Sequence, residues 1–200
     1  MLPRLARGTG RYTVPLAVLG LPALLFSPLS GLLVALAMVV VVVFHRDPDR
    51  TVPETGVVAP ADGRVSVIRQ DGDQVRVGIF MNLDDVHVNR APMDGTVQSV
   101  THTPGGHWPA FSKESDRNER VHVAFEEYTV VLIAGAVARR IHPYLESGQS
   151  VERGDRIGHI SFSSRVDVLL PAEVDRTDLL VEKGDTVSAG ESRLVATEPN

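Results

Sequence analysis

Three short segments of this sequence carry side chains that could act together on a carbonyl group. Ser163 and Ser164 lie side by side at the start of an apolar run, Asp62 lies in the segment Pro-Ala-Asp-Gly, and His87 lies between two valines. An acid, an imidazole and a hydroxyl are the three groups that an activated serine requires. The residue types therefore allow serine-based covalent chemistry at Ser163 or Ser164.

Each of these residues also has a purely structural interpretation. The serine pair could place its hydroxyls on the wet face of a strand, Asp62 before Gly63 could be a turn residue, and His87 could be a satisfied core histidine. A serine hydrolase built on Ser164, His87 and Asp62 is disfavoured because no Gly-x-Ser-x-Gly elbow surrounds the serine. Residue types alone leave catalysis and structure open.

Composition excludes several other kinds of site. The chain of 200 residues has no cysteine, so disulfides and thiol catalysis are excluded, and its net charge of −5 gives no basic footprint for nucleic acid. We expect no metal site, because five of the other histidines match no ligand spacing. They are His102, His107, His122, His142 and His159.

The elements that must position these side chains are predicted to be mainly β. After residue 50 the sequence changes to short alternating runs separated by Gly, Asp and Pro, which indicate strands. The predicted strands are Arg64–Arg69, Gln74–Phe80, Thr96–His102, Glu119–Phe125, Tyr128–Ala134, Val137–Ile141, Ile157–Phe162, Val166–Leu170 and Asp178–Glu182. A tight hairpin turn is expected at Asp71-Gly72-Asp73, and a long loop at 103–118.

An internal echo supports a compact β-sandwich or barrel-like domain. The segment 151–157 recurs thirty positions later as 181–187, each with a Gly-Asp turn between apolar runs. The pattern resembles the turns of lipoyl- and biotinyl-type domains, and the Asp62-Gly63 segment would serve as a further turn. The alternative is that Gly-Asp is simply a common turn pair.

The N-terminal quarter differs from the rest of the chain. No charged residue occurs from Val14 to Phe44, and Pro22, Pro28 and Gly31 interrupt this stretch. Two apolar helices, with basic residues before and after them, favour a membrane-associated hairpin with both flanks in the cytoplasm. A single tilted span, or helices lying in one leaflet, is the alternative. We therefore predict a membrane-associated segment at 1–46 and a β domain at 47–200.

Taken together, these segments closely resemble the short type of phosphatidylserine decarboxylase, a self-processing enzyme family. The resemblance rests on the Asp62 segment, the segment 84–95 around His87 and the segment 161–171 around Ser164, in that order. Two further motifs, Phe44-His45-Arg46-Asp47-Pro48 and Asn118-Glu119-Arg120, also fit. The resemblance to this family extends from about Phe44 to Pro171.

The resemblance implies cleavage of the backbone between Ser163 and Ser164. Ser164 would become a covalent pyruvoyl group, the pyruvate-type cofactor that forms a Schiff base with the substrate amine. His87 would be the base, and Asp62 would hold its tautomer. The family usually has glycine where this chain has Ser163, and Arg90 stands near a position that is a second histidine in a related branch.

The same resemblance implies a lyase that decarboxylates phosphatidylserine or archaetidylserine to the ethanolamine lipid. Its partners would be a phospholipid substrate, the cell membrane, and its own second fragment in a heterodimer, with the catalytic domain facing the cytoplasm. A non-enzymatic, membrane-anchored lipoyl-like β-barrel adaptor is the alternative. Lys183 is not in the usual apolar-flanked setting for lipoate or biotin.

Overall fold

The computed structural model describes residues 4–106, 108–110, 117–135, 141–160 and 164–197. The chain divides into two compact units, Met1–Asp49 and Arg50–Asn200. The division lies three residues beyond the predicted boundary at 46/47. The assignment of a membrane-associated role to one part and a decarboxylase role to the other stays a prediction.

The first unit is the predicted N-terminal helical hairpin. Helix α1 spans Gly10–Phe26 and α2 spans Pro28–Phe44. Ser27 separates them: its Oγ accepts hydrogen bonds from the amides of Leu29 and Ser30, and Pro28 begins α2, where its missing N–H costs nothing. A Cβ at Gly31 would lie 2.9 Å from Leu24, so glycine permits the close approach of the helices.

Each helix has 17 residues and is therefore about 25 Å long, shorter than a hydrocarbon core of about 30 Å. Among the described residues, neither helix meets the length and hydropathy needed to cross a bilayer. Most of the large apolar side chains of both helices are nonetheless exposed, including Leu25, Phe26 and Leu29.

The second unit is mainly β. Its strands are β1 (Val57–Val58), β2 (Gly63–Asp71), β3 (Gln74–Met81), β4 (Val88–Arg90), β5 (Gly95–Thr103), β6 (Arg120–Phe125), β7 (Thr129–Ile133), β8 (Ile141–Pro143), β9 (Ser150–Val151), β10 (Arg156–Ile160), β11 (Ser164–Leu169), β12 (Thr186–Val187) and β13 (Arg193–Val195). A short 3₁₀ helix spans Arg176–Asp178.

Eight of these strands form one antiparallel sheet that curls like half a barrel, in the order β12-β2-β3-β11-β7-β6-β5-β9. A three-stranded sheet, β4-β10-β8, and the pair β1-β13 complete the domain. The alternating apolar residues of β3, β6, β7 and β11 point into a common core, for example Ile79, Val123, Leu132 and Val166. The mainly β, barrel-like prediction is confirmed.

The predicted sequence echo corresponds to a repeated turn. In Glu152–Asp155 the Asp155 carboxylate accepts the Glu152 amide at 2.9 Å, and in Glu182–Asp185 the Asp185 carboxylate accepts the Glu182 amide at 2.8 Å. The glycine between them, Gly154 or Gly184, has a positive φ. The Gly-Asp pairs therefore close two turns of the same construction.

Most of the long predicted strands are present, and one prediction is wrong. Asp178–Glu182 is not a strand: the 3₁₀ helix ends at Asp178, because the Asp175 and Asp178 side chains cap each other's backbone amides. The predicted strand at Val137–Ile141 lies largely outside the described residues, as do the last two residues of Ile157–Phe162. Of the six described strands of two or three residues, β1, β4, β9, β12 and β13 were not predicted, and β8 shares only Ile141 with a predicted strand.

Candidate active site

Ser164 is the first residue of β11, at the centre of the large sheet. It lies opposite Met81 at the end of β3. Its hydroxyl is fully buried and donates to the Met81 sulfur at 3.5 Å. Because a thioether is a weak acceptor, this contact orients the hydroxyl without taking its proton. Ser163, the other member of the predicted cleavage site, lies outside the described residues.

The segment that carries His87 runs beside the strand that leads towards Ser164. The amide of Ile160, the last residue of β10, donates to the His87 carbonyl at 3.3 Å. The His87 ring is buried, and its Nδ1 lies 2.9 Å from the Asp85 carbonyl. A carbonyl can only accept, so the hydrogen resides on Nδ1 and the lone pair of the neutral ring on Nε2. This is the tautomer that a base acting through Nε2 requires.

Two residues that the sequence analysis missed connect this segment to Ser164. Asn89 is fully buried, and its Nδ2 donates to the Met81 sulfur at 3.6 Å, the same sulfur that the Ser164 hydroxyl contacts. The spacing of Asn89 from His87 could have indicated it, because residues two apart on an extended chain share a face. Met81 had no signal beyond its apolar character.

Asp62 lies at the entrance to β2 and is held by a different partner from the one expected. Both of its carboxylate oxygens accept hydrogen bonds from Arg50 Nη2, at 2.9 and 2.8 Å, and Oδ1 also accepts the Ala189 amide at 2.8 Å. His87 Nδ1 contacts the Asp85 carbonyl, which lies two residues before it in the chain; that Asp62 holds the His87 tautomer stays a prediction.

The backbone next to Asp62 nevertheless joins the other two motifs. Gly63 has a φ of 136°, and a Cβ there would lie 2.1 Å from the Phe80 carbonyl, so only glycine fits against the end of β3. The Arg90 amide donates to the Pro60 carbonyl at 2.9 Å. The three predicted motifs therefore meet at the end of β3, where the Asp62 carboxylate itself bonds to Arg50 and Ala189.

Charges around Asp62 form a connected group. Burial alone would lower the pKa of Arg50, but the Asp62 and Glu191 carboxylates outweigh it and the pKa lies above its ordinary value. The Thr51 amide and Arg50 lower the pKa of Glu191. Burial raises the pKa of Asp85, and the charge of Asp62 acts in the same direction, which places Asp62 within electrostatic range of the turn that holds His87.

A buried ionic cluster anchors the strand directly after Ser164. Arg165 donates to both oxygens of Asp167, at 2.7 and 3.0 Å, and Arg76 Nη1 donates to Asp167 Oδ2 at 2.9 Å. Asp167 is fully buried, and its carboxylate occupies the space that a side chain at Gly78 would fill. In the sequence, Arg165 and Asp167 stood out only as part of the segment 161–171.

The Arg90 side chain has a structural role, because it joins β4 to a neighbouring turn. It is buried, and its Nη1 donates to the Gly154 carbonyl at 2.9 Å. It therefore anchors β4 to the turn at Glu152–Asp155.

Comparison with known proteins agrees with this arrangement of motifs. The family model described as phosphatidylserine decarboxylase matches residues 38–195. A Halobacterium salinarum protein named archaetidylserine decarboxylase proenzyme is 59% identical, covering 95% of this chain and 98% of its own length. A phosphatidylserine decarboxylase proenzyme of Streptomyces griseus is 45% identical, covering 96% and 93%. The chain belongs to the phosphatidylserine decarboxylase family.

Proposed function

We propose that this decarboxylase removes the carboxyl group from the serine headgroup of a phospholipid, phosphatidylserine or archaetidylserine, and that it makes its own catalytic carbonyl group from Ser164. The observation that carries the proposal is the burial of the Ser164 hydroxyl at a strand start, beside the segment that presents His87. The names of the relatives supply the reaction and the proenzyme state.

Self-cleavage begins with attack of Ser164 Oγ on the Ser163 carbonyl carbon. The C–N peptide bond breaks as a C–O ester bond forms, and the Ser164 nitrogen becomes a free amine. Removal of the Ser164 α-proton then expels the Ser163 carboxylate and leaves a double bond at position 164. This enamine becomes an imine, and water converts it into the pyruvoyl ketone with release of ammonia.

His87 is the residue that we assign to proton transfer in these steps. A serine hydroxyl is a weak nucleophile at neutral pH and needs a neighbouring base. With its Nδ1 hydrogen donated to the Asp85 carbonyl, the imidazole offers Nε2 as the accepting atom. Asp62 acts on this site through its charge, held in place by Arg50.

The surroundings of residue 164 suit a pyruvoyl group. When formed, it supplies a ketone that takes up the substrate amine and an adjacent carbonyl that accepts electrons as carbon dioxide leaves. The chain's own residues hold this position between β3 and β7, and Met81 and Asn89 exclude water from it. His87 would return a proton to the substrate carbon.

The two fragments should remain together as a heterodimer after cleavage. Every described strand of the smaller fragment pairs with a strand of the larger one: β11 with β3 and β7, β12 with β2, and β13 with β1. Because β11 is an interior strand of the large sheet, its removal would open the core.

The hairpin is the part that we assign to the membrane. Its exposed apolar side chains favour burial in lipid. Arg4, Arg7 and Arg11 at its start and Arg46 after it favour cytoplasmic flanks. Attachment would keep the β domain at the surface where its lipid substrate resides, facing the cytoplasm.

The experiment that tests the function is mass measurement of the wild-type chain and of Ser164→Ala. Under denaturing conditions the wild type should give two fragments split before residue 164, with the smaller one lacking its terminal amine. Under native conditions the same sample should give one complex containing both. Ser164→Ala should give a single full-length chain that releases no carbon dioxide from phosphatidylserine.

Ser163→Gly is the matched control, because it changes the neighbouring serine to the residue that the family usually has. It should process and decarboxylate. An active wild type with a single intact mass would refute self-cleavage, and an intact, inactive wild type would favour the adaptor alternative. If Ser164→Ala is still cleaved and still releases carbon dioxide, the assignment of Ser164 as the residue that becomes the pyruvoyl group is wrong.

A further inference from the structure

The end of the large sheet that carries Ser164 can be identified from strand register. Ser164 lies opposite Met81, and Arg165 lies opposite Ile133. Ile133 in turn lies opposite Arg120, and Arg120 opposite Thr103. The end of β3, the end of β5, the start of β6, the end of β7 and the start of β11 therefore share one end of the sheet. We call it the Ser164 end.

Two connections at the Ser164 end expose a large apolar side chain. Leu83 follows β3 by two residues and is 61% exposed, and Trp108 follows β5 by five residues and is 54% exposed. In the described part of the β domain, the other exposed large apolar side chain is Leu180, also 54% exposed. Leu180 belongs to the connection from β11 to β12. Its neighbour Leu179 lies opposite Val195, which lines a pocket with Glu173 and Val174, four and five residues beyond the end of β11 at the opposite end of the sheet.

The position of Trp108 is built by a buried side chain. Asn118 is fully buried: its Oδ1 accepts the Trp108 amide at 2.7 Å, and its Nδ2 donates to the carbonyls of Trp108 at 2.6 Å and Ala134 at 2.7 Å. A Cβ at Gly105 would lie 2.4 Å from the Asn118 backbone. A buried amide is costly unless its hydrogen bonds are made, so Asn118 holds this loop, and with it the exposed ring.

Leu83 is held in a comparable way. It lies in a tight turn in which the Asn82 amide donates to the Asp85 carboxylate at 2.6 Å and the Asp85 amide donates to the Asn82 carbonyl at 3.2 Å. Two residues after this turn the chain is buried at His87. The exposure of Leu83 is thus fixed by the same turn that positions His87.

We propose that Leu83 and Trp108 form the surface by which the β domain docks on the phospholipid bilayer. The inference rests on the proposed function: the substrate headgroup belongs to a lipid, and Ser164 is fully buried, so the lipid must approach from the Ser164 end. An indole ring favours the headgroup level of a bilayer, and a leucine favours the acyl region. Two such side chains are too few to bind a membrane alone, but they would orient a domain already attached.

Single-tryptophan fluorescence tests the surface directly, since Trp108 is the only tryptophan. The full chain is placed in phosphatidylcholine vesicles whose lipids carry bromine, a quencher, on the upper acyl chain. Three proteins are compared: the wild type, the Leu83→Trp/Trp108→Phe variant and the Leu180→Trp/Trp108→Phe variant. We expect the first two to be quenched at least about twice as strongly as the third. Equal quenching of the three proteins would overturn the proposal. So would shielding of the tryptophan from water in the absence of lipid, because it would show that the surface binds a second copy of the chain.

Measurement of decarboxylation is the second part of the test. Leu83→Ser and Trp108→Ser should lower decarboxylation of phosphatidylserine in vesicles several-fold, whereas Leu180→Ser should not. All three should process normally, float with vesicles through the hairpin, and turn over a short-chain, monomeric phosphatidylserine at the wild-type rate. An equal loss on both substrates would place these residues in the reaction and overturn the docking role. The fluorescence arm needs no turnover, so failure of the proposed function would show separately, as an inactive wild type.

Discussion

At the residue scale, the proposed chemistry depends on which nitrogen of His87 accepts a proton. The Asp85 carbonyl fixes the hydrogen on Nδ1, so Nε2 is the basic atom. The sequence could indicate His87 and Asp62 as candidates, because their motifs are local. It could not indicate that Asp62 pairs with Arg50, because that contact is made by a side chain outside the motif.

We therefore predict that His87→Ala slows self-cleavage by at least about 100-fold, the lower range for loss of a general base. Processing is followed on gels after cell-free synthesis of the chain. Added imidazole should restore part of the rate, a rescue that a merely structural defect would not show. His102→Ala, which removes an exposed histidine bonded to Glu119, serves as the control and should process normally. Maturation of His87→Ala at the wild-type rate would remove His87 from the mechanism.

At the element scale, the proposed reaction requires that β11 stays in place before and after the chain is cut. Its core face carries Val166 and Val168, and its opposite face carries the buried Arg165–Asp167 pair, which Arg76 of β3 extends. The alternation of apolar and charged residues along β11 could be predicted from the sequence. The ionic cluster could not be predicted, because two charged residues two positions apart on a strand ordinarily face solvent. Here only the tertiary packing buries them.

This cluster gives a stability prediction. Asp167→Ala should lower the free energy of unfolding by about 3–5 kcal/mol, because two buried guanidinium groups lose their carboxylate. Asp71→Ala, which removes the more exposed partner of Arg76, should cost less than about 1 kcal/mol. Both are measured by urea unfolding in the Ser164→Ala background, where the chain stays in one piece. Equal effects of the two substitutions would show that Asp167 does not anchor the strand.

At the scale of the whole molecule, the long strands and the hairpin were predictable, since each repeats its pattern over many residues. The strands of two or three residues were not, because alternation has no meaning over so short a run. They matter nonetheless: β4 brings the His87 segment against β10, and β12 and β13, which follow the proposed cleavage site, pair with β2 and β1. The sequence thus indicated the candidate reacting groups, while the assembly of short strands that joins their segments appeared only in the structure.

The central claim is that a serine of this chain becomes its own electron-accepting ketone, and chemical trapping at residue 164 tests it most directly. Wild-type protein is incubated with phosphatidylserine and cyanoborohydride, and the small fragment is analysed by mass spectrometry. The account predicts a lipid-amine adduct on the first residue of that fragment, with none on Ser164→Ala. An active enzyme whose small fragment carries an ordinary serine amine and no adduct would contradict it.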